Sequence, residues 1–295
     1  MVTPDQFRTV PCPTYPEIRL ALFPGQVGRI IETFRPCAIH ISTEGPLGFA
    51  ARRHCLKRGY PFTTAFHTRF PEYVHARIRL PLSISYAVMR WFHRPSSGVM
   101  VATQTIENDL KSWGITNIKR WSRGVDTELF RPRAKDFLEG PRPISLYCGR
   151  VAVEKNIEAF LALDLPGTKY VVGDGPQLAS LERQYPDVQF VGMKTGEDLA
   201  MHFAAADVFV FPSRTDTFGL VLLEALASGV PVAAFPVPGP LDVVDGSGAG
   251  VLDEDLAGAT ERALNIDPDR CRAHALTYSW DACIDQFLGN IHIFR

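Results

Sequence analysis

Short apolar runs alternate along this chain with stretches whose apolar positions recur every three or four residues, the rhythm of parallel βαβ units. In the first half, CAIHIS (37–42), FTTAF (62–66) and GVMVAT (98–103) read as strands. Leu47 to Arg58 reads as a helix stopped by Gly59, and another helix runs from Ile106 to Trp113. The pattern restarts at ISLYCGR (144–150). It continues through helix 156–163, strand 169–175, helix 177–184, strand 188–192, helix 197–205, strand 207–212, a helix carrying Glu224 and strand 231–235. RGVDTELFRPRAK (123–135) is poor in apolar residues, and Pro141 and Pro143 close that crossing. The expected organisation is an α/β domain over 1–130, a linker over 131–142, a second α/β domain over 143–277, and a C-terminal helical segment over 278–295.

Charge sharpens the division. The 295 residues carry a net charge of −1, but residues 1–135 hold 20 Lys and Arg against 9 Asp and Glu, and residues 136–295 hold 11 against 23. The basic half suits phosphates or anionic lipid headgroups. From residue 45 to 95 there are nine Lys or Arg and one acid, Glu72, mixed with Tyr73, Leu80, Leu82, Trp91 and Phe92, a blend suited to an anionic membrane surface. Pro81 argues against one continuous helix there. The six cysteines show no CxxC and no metal spacing, so reduced thiols, a cytoplasmic location and no metal are expected. No run approaches the length of a membrane span, which leaves attachment at the inner face of a membrane as the peripheral option. No Walker A pattern supports ATP chemistry, and no nucleic-acid partner is expected.

The most informative stretch is PSRTDTFGLVLLEALASGVPVAA, Pro212 to Ala234. Asp216 precedes Glu224 by eight residues, with Phe218, Gly219 and Leu220 between them, and a helix opening at that glycine is stopped by Gly229 and Pro231. A helix N-terminus opened by glycine presents unpaired N–H groups to a phosphate. Glu224, a turn further in, suits the vicinal diol of a ribose, and Asp216 suits the hydroxyls of a second sugar. Diphosphate, ribose and sugar together describe a nucleotide-sugar. Arg150 and Lys155 follow a strand on a glycine turn at Gly149, placed to clamp both phosphates and stabilise a departing diphosphate. Asp174 and Gly175 in VVGDGP form a turn into a helix beside it.

These segments resemble the retaining glycosyltransferases of family GT4, which have the GT-B fold: two Rossmann-like doubly wound domains facing a cleft, with a final helix, here 278–295, crossing back to the first domain. IHISTEGPLGFAARR, TTAFHTRFPEYV, RGVDTELFRP, YCGRVAVEKN, VVGDGP and ADVFVFPS occur in the family's order and cover most of the chain. The subgroup that makes glycolipids and transfers mannose or glucose looks nearest. The family's first acid is usually Glu; here it is Asp216. The resemblance implies a UDP- or GDP-linked hexose as donor, a lipid or glycan as acceptor, no cofactor and no dedicated base. It places His67 near the transferred sugar and Met193 and Lys194 at the nucleobase, and Thr43 and Glu44 are weaker acceptor-side candidates. The family opens with a strand, a glycine loop and a helix that VTPDQFRTVPCPTYP does not match, so the first domain is expected to be truncated at its N-terminus. A non-catalytic nucleotide-sugar binder and a nucleotide-sugar epimerase on the same fold remain alternative readings.

Overall fold

The computed structural model describes residues 1–12, 15–216 and 218–294. Pro13 and Thr14 of the opening segment, Thr217 inside the motif and Arg295 lie outside it, as do the side chains of residues 15–18, 76 and 77. The chain divides into two compact units, Met1–Trp121 with Asp285–Arg295, and Ser122–Ile284. Residues 122–142, read from sequence as the end of one domain and a linker, therefore group with the second unit. Lys135 and Arg142 hold them there: both donate to Asp207 Oδ1, at 3.0 and 2.7 Å.

The first unit opens with an antiparallel hairpin, β1 (Thr9–Cys12) on β2 (Tyr15–Ala21), and a helix over Val27–Phe34. Both elements are absent from the sequence reading. The helix rests on Val27 and Ile31, four positions apart and buried, a signal too short to stand out beside Gly25 and Gly28. Four parallel strands follow in chain order, β3 (His40–Ile41), β4 (Thr63–Ala65), β5 (Gly98–Val101) and β6 (Ile118–Arg120). The helix Pro46–Arg58 ends at Gly59 in the left-handed conformation, as its C-terminal glycine predicts. Pro81 separates helix Phe70–Ile78 from helix Leu82–His93. The chain's last residues complete this unit: the Phe294 N–H donates to the Cys37 carbonyl at 2.9 Å, and Lys119 Nζ donates to the Asn290 carbonyl at 2.8 Å.

The second unit is built on six parallel strands, β7 (Ile144–Cys148), β8 (Thr168–Val172), β9 (Gln189–Phe190), β10 (Val208–Phe211), β11 (Val232–Ala234) and β12 (Gly250–Leu252). Their order in the sheet is β12-β11-β10-β7-β8-β9. β7, β10 and β11 are buried along their whole length, which is why they read as unbroken apolar runs. Helices Leu178–Gln184, Gly196–Ala205 and Leu220–Ala227 form where the spacing predicts them. The helix expected over 156–163 is shorter. A 3-10 turn, Val153–Lys155, ends at Asn156 with φ 52°, and only Glu158–Leu161 is α-helical. Helices Leu256–Ala263 and Pro268–Ala275 add further cover. No helix among the described residues is long and apolar enough to cross a membrane.

Candidate functional site

Strand order in the second unit reverses between β7 and β10, and such a reversal opens a crevice beyond the carboxyl ends of those two strands. The loop leaving β7 carries Gly149, Arg150 and Lys155; the loop leaving β10 carries Asp216, Phe218 and Gly219. Three bonds stitch the loops together. Lys155 Nζ donates to Asp216 Oδ1 at 2.5 Å, Asn156 Nδ2 donates to the Pro212 carbonyl at 3.0 Å, and Thr215 Oγ1 donates to the Glu154 carbonyl at 3.1 Å. Arg150 Nε lies 3.9 Å from Glu154 Oε1. Asn156 and Thr215 were missed in the sequence, although asparagine is the residue besides glycine that most readily takes the left-handed turn Asn156 makes.

A third loop, from β8, packs against the first. A methyl group on Gly173 would lie 1.9 Å from the Gly149 carbonyl oxygen, and one on Gly175 would lie 2.3 Å from that of Val151. The Val151 N–H donates to the Asp174 carbonyl at 2.9 Å, while the Asp174 carboxylate is exposed and accepts from the Gly175 N–H. Met193 and Lys194 follow β9; Met193 is exposed, and Lys194 Nζ lies 3.3 Å from Asp198.

Polar atoms are left over on this rim. Asp216 Oδ2, Ser213 Oγ and Gln177 Oε1 are buried without a hydrogen-bond partner among the described residues, although most buried polar atoms in folded proteins are paired. The helix Leu220–Ala227 starts at Gly219 with φ 78° and no side-chain cap, so its first N–H groups have no capping side chain. Phe218 is buried and Leu220 half-exposed, which leaves the backbone of this turn as its polar surface. On the same helix, Glu224 stands among the fully buried Leu222, Leu223, Ala225 and Leu226. Burial pushes its carboxyl up to about 7. The Cys148 thiol at the end of β7 is pushed up to about 12 by burial and secondarily by the Glu224 charge, which sets Glu224 beside that strand end.

Arg150, Lys155, Asp216, Phe218, Gly219, Leu220, Gly149, Asp174, Gly175, Met193 and Lys194 thus all lie in the second unit, on loops or helix starts after its strands, with Glu224 a turn inside the helix Leu220–Ala227. His67, Thr43 and Glu44 belong to the first unit, after β4 and β3. The His67 ring lies 5.6 Å from that of Trp121. Thr43 is exposed, whereas Glu44 turns inward: its Oε1 is 3.0 Å from Nε2 of the fully buried His93, whose Nδ1 is 2.8 Å from Thr64 Oγ1. No group of three or more His, Cys, Asp or Glu residues gathers to hold a metal among the described residues.

A doubly wound parallel sheet with unpaired polar atoms and an uncapped helix at its reversal point defines a ligand-binding α/β unit of the nucleotide-binding class. Comparison with known proteins makes the assignment specific. Residues 142–266 match the family model of glycosyl transferases group 1, and residues 2–129 match that of Glycosyltransferase Family 4. The chain is 32% identical over 256 residues to the sulfoquinovosyl transferase SQD2 of Arabidopsis thaliana, covering 80% of this chain but only 50% of that protein. It is 30% identical over 285 residues to a GDP-mannose-dependent alpha-mannosyltransferase of Mycolicibacterium smegmatis, covering 90% of this chain and 76% of the relative. Among solved structures, Alr3699/HepE of Anabaena in complex with UDP superposes with a TM-score of 0.71 at 17% identity, covering 89% of this chain and 80% of the other, a likeness of fold. The chain belongs to glycosyltransferase family 4 and has the GT-B fold.

Proposed function

We propose that the chain transfers a hexose from a UDP- or GDP-linked donor to a lipid or glycan acceptor, with retention of the anomeric configuration. The observation that carries this reading is the convergence of Lys155, Asp216 with its unpartnered Oδ2, the uncapped helix at Gly219 and half-buried Glu224 on one reversal point. In this reading Glu224 accepts from the ribose hydroxyls, the first N–H groups of helix Leu220–Ala227 and the Lys155 and Arg150 cations take the diphosphate, and Asp216 Oδ2 accepts from the sugar. The bond from the anomeric carbon to the diphosphate oxygen breaks as a bond to the acceptor oxygen forms on the same face. The acceptor proton passes to the departing phosphate oxygen, so no separate base is assigned. Glu44, held by His93, would support the Thr43 loop and not touch the acceptor itself.

Relatives named as mannosyl and sulfoquinovosyl transferases support sugar transfer. Glycolipid products fit the basic, aromatic surface around helix Leu82–His93, where Ile84, Val88 and Trp91 are exposed, and in this reading the protein works at the inner face of an anionic membrane. The test is calorimetry with a panel of UDP- and GDP-sugars on wild type, Glu224→Ala and Asp216→Ala. Glu224→Ala is expected to weaken free nucleotide, and Asp216→Ala to spare nucleotide and weaken the sugar donor. If both variants lose the same ligand equally, this division of roles is wrong.

A further inference from the structure

A second anionic-ligand feature lies in the first unit. Arg52, on helix Pro46–Arg58, is only 8% exposed. Its Nε donates to the Phe92 carbonyl at 2.9 Å and its Nη2 to the Trp91 carbonyl at 2.8 Å, while its guanidinium carbon sits 3.9 Å from the centre of the Trp91 ring. Arg52, Arg90, Trp91 and Arg94 line a cavity of about 490 Å³. A neighbouring cavity of about 240 Å³ shares Arg90 and Arg94 and is bounded by Gly114, Ile115, Thr116 and Asn117. Among the described residues, no acidic one lines either cavity.

Arg52 and Arg90 are held by backbone carbonyls, and none of the three arginines pairs with a carboxylate among the described residues. Arg90 Nη1 donates to the Trp113 carbonyl at 3.1 Å, and the side chain runs along Gly114, close enough that a methyl there would stand 3.5 Å from Nη1. Carbonyls at a helix C-terminus carry a partial negative charge that satisfies one cation in part. Three guanidinium groups exceed that, and each carries five N–H donors in a planar fork suited to phosphate. Trp91, 55% exposed, adds a flat apolar wall. The volume lies within the range of small-molecule sites and exceeds what a bare phosphate fills.

We propose that this two-lobed basic groove binds a phosphate-bearing ligand, with Arg90 and Arg94 meeting the anion and Trp91 covering the remainder. The site stands on its own residues and not on the sugar-transfer reading. The phosphate can belong to a soluble phosphorylated molecule or to a phospholipid headgroup, and the experiment has an arm for each.

Wild type and the double variant Arg90→Gln/Arg94→Gln are titrated calorimetrically with glycerol 3-phosphate, and in parallel with UDP and GDP. Both replaced side chains are exposed; the single variant Arg94→Gln serves as well should the double variant lower the thermal midpoint. The expected result is a loss of at least tenfold in glycerol 3-phosphate affinity, with nucleotide binding and thermal midpoint unchanged. Equal affinity in wild type and variant, or no saturable binding by wild type, overturns the site. In the second arm, the same proteins are sedimented with vesicles of phosphatidylglycerol and phosphatidylcholine. Loss of vesicle binding together with loss of soluble phosphate assigns the groove to lipid headgroups. Retained vesicle binding beside lost soluble phosphate assigns it to a free phosphorylated ligand.

Discussion

Lys155 and Asp216 are 61 residues apart in the chain and 2.5 Å apart in the fold, so each bears on what the other can do. In the proposed reading, a diphosphate arriving at Lys155 would compete with Asp216 for the ammonium, and the carboxylate would then turn to the sugar. Lys155→Ala and Arg150→Ala are each expected to lower kcat, since hydrogen bonds to charged groups are worth roughly 1.5–3 kcal/mol, or about ten- to a hundredfold. Steady-state kinetics with a working donor checks this, and near-normal turnover in both variants removes the clamp. Glu224 carries a pH signature. Its carboxyl is raised by burial, so folding is penalised only where the unfolded chain would ionise it. The penalty is absent below about pH 4.3, grows toward the folded value of about 7, and is constant above it. Glu224→Gln is therefore expected to match wild type in thermal stability at pH 4 and to exceed it at pH 8, by about 1–3 kcal/mol. Nucleotide affinity should run the other way. In wild type it rises with pH as the carboxylate that accepts from ribose forms, and in the glutamine variant it stays flat. A wild-type affinity without that rise removes Glu224 from the ribose.

At the scale of elements, the crevice depends on loops approaching more closely than side chains permit. VVGDGP reads as a turn in the sequence, but the need for Gly173 comes from another strand: any Cβ there meets the Gly149 carbonyl, and φ at Gly173 is 146°. Gly173→Ala is expected to cost about 2–4 kcal/mol and to disorganise the loop carrying Arg150. Denaturant unfolding measures the first effect and donor titration the second. A variant as stable as wild type would show that the two loops can separate without cost. The helix Leu220–Ala227 has the opposite character. Its apolar residues, opening glycine and stop at Gly229 were all legible, because each is a local signal within one helix length. The hairpin and the helix Val27–Phe34 were not legible, since their signals are short and interrupted by Pro16, Pro24 and Gly28.

For the molecule as a whole, the charge split gives a basic half, residues 1–135, and an acidic half, residues 136–295. The basic one carries exposed Ile84, Val88 and Trp91 beside Arg79, Arg90 and Arg94. Each basic residue near an anionic membrane contributes about 1 kcal/mol, an attraction screened by salt. The protein is expected to pellet with anionic vesicles, to be released as salt rises to about 0.5 M, and to pellet poorly with neutral ones. Binding indifferent to lipid charge returns this surface to ordinary solvation.

What the sequence alone determined was local: the alternation of strands and helices, the helix starts and stops, the charge division, and the motif with its acids at Asp216 and Glu224. Apart from the charge division, which is a matter of composition, each is carried by residues close together in the chain, where periodicity and backbone preference act directly. Only the tertiary structure decided the strand order that reverses between β7 and β10, the pairing of Lys155 with Asp216, the contact that demands Gly173, and the inward turn of Glu44 onto His93. Those features join residues tens of positions apart. Their partners are chosen by how strands pack and how buried polar groups find one another, and no local pattern in the chain encodes that choice.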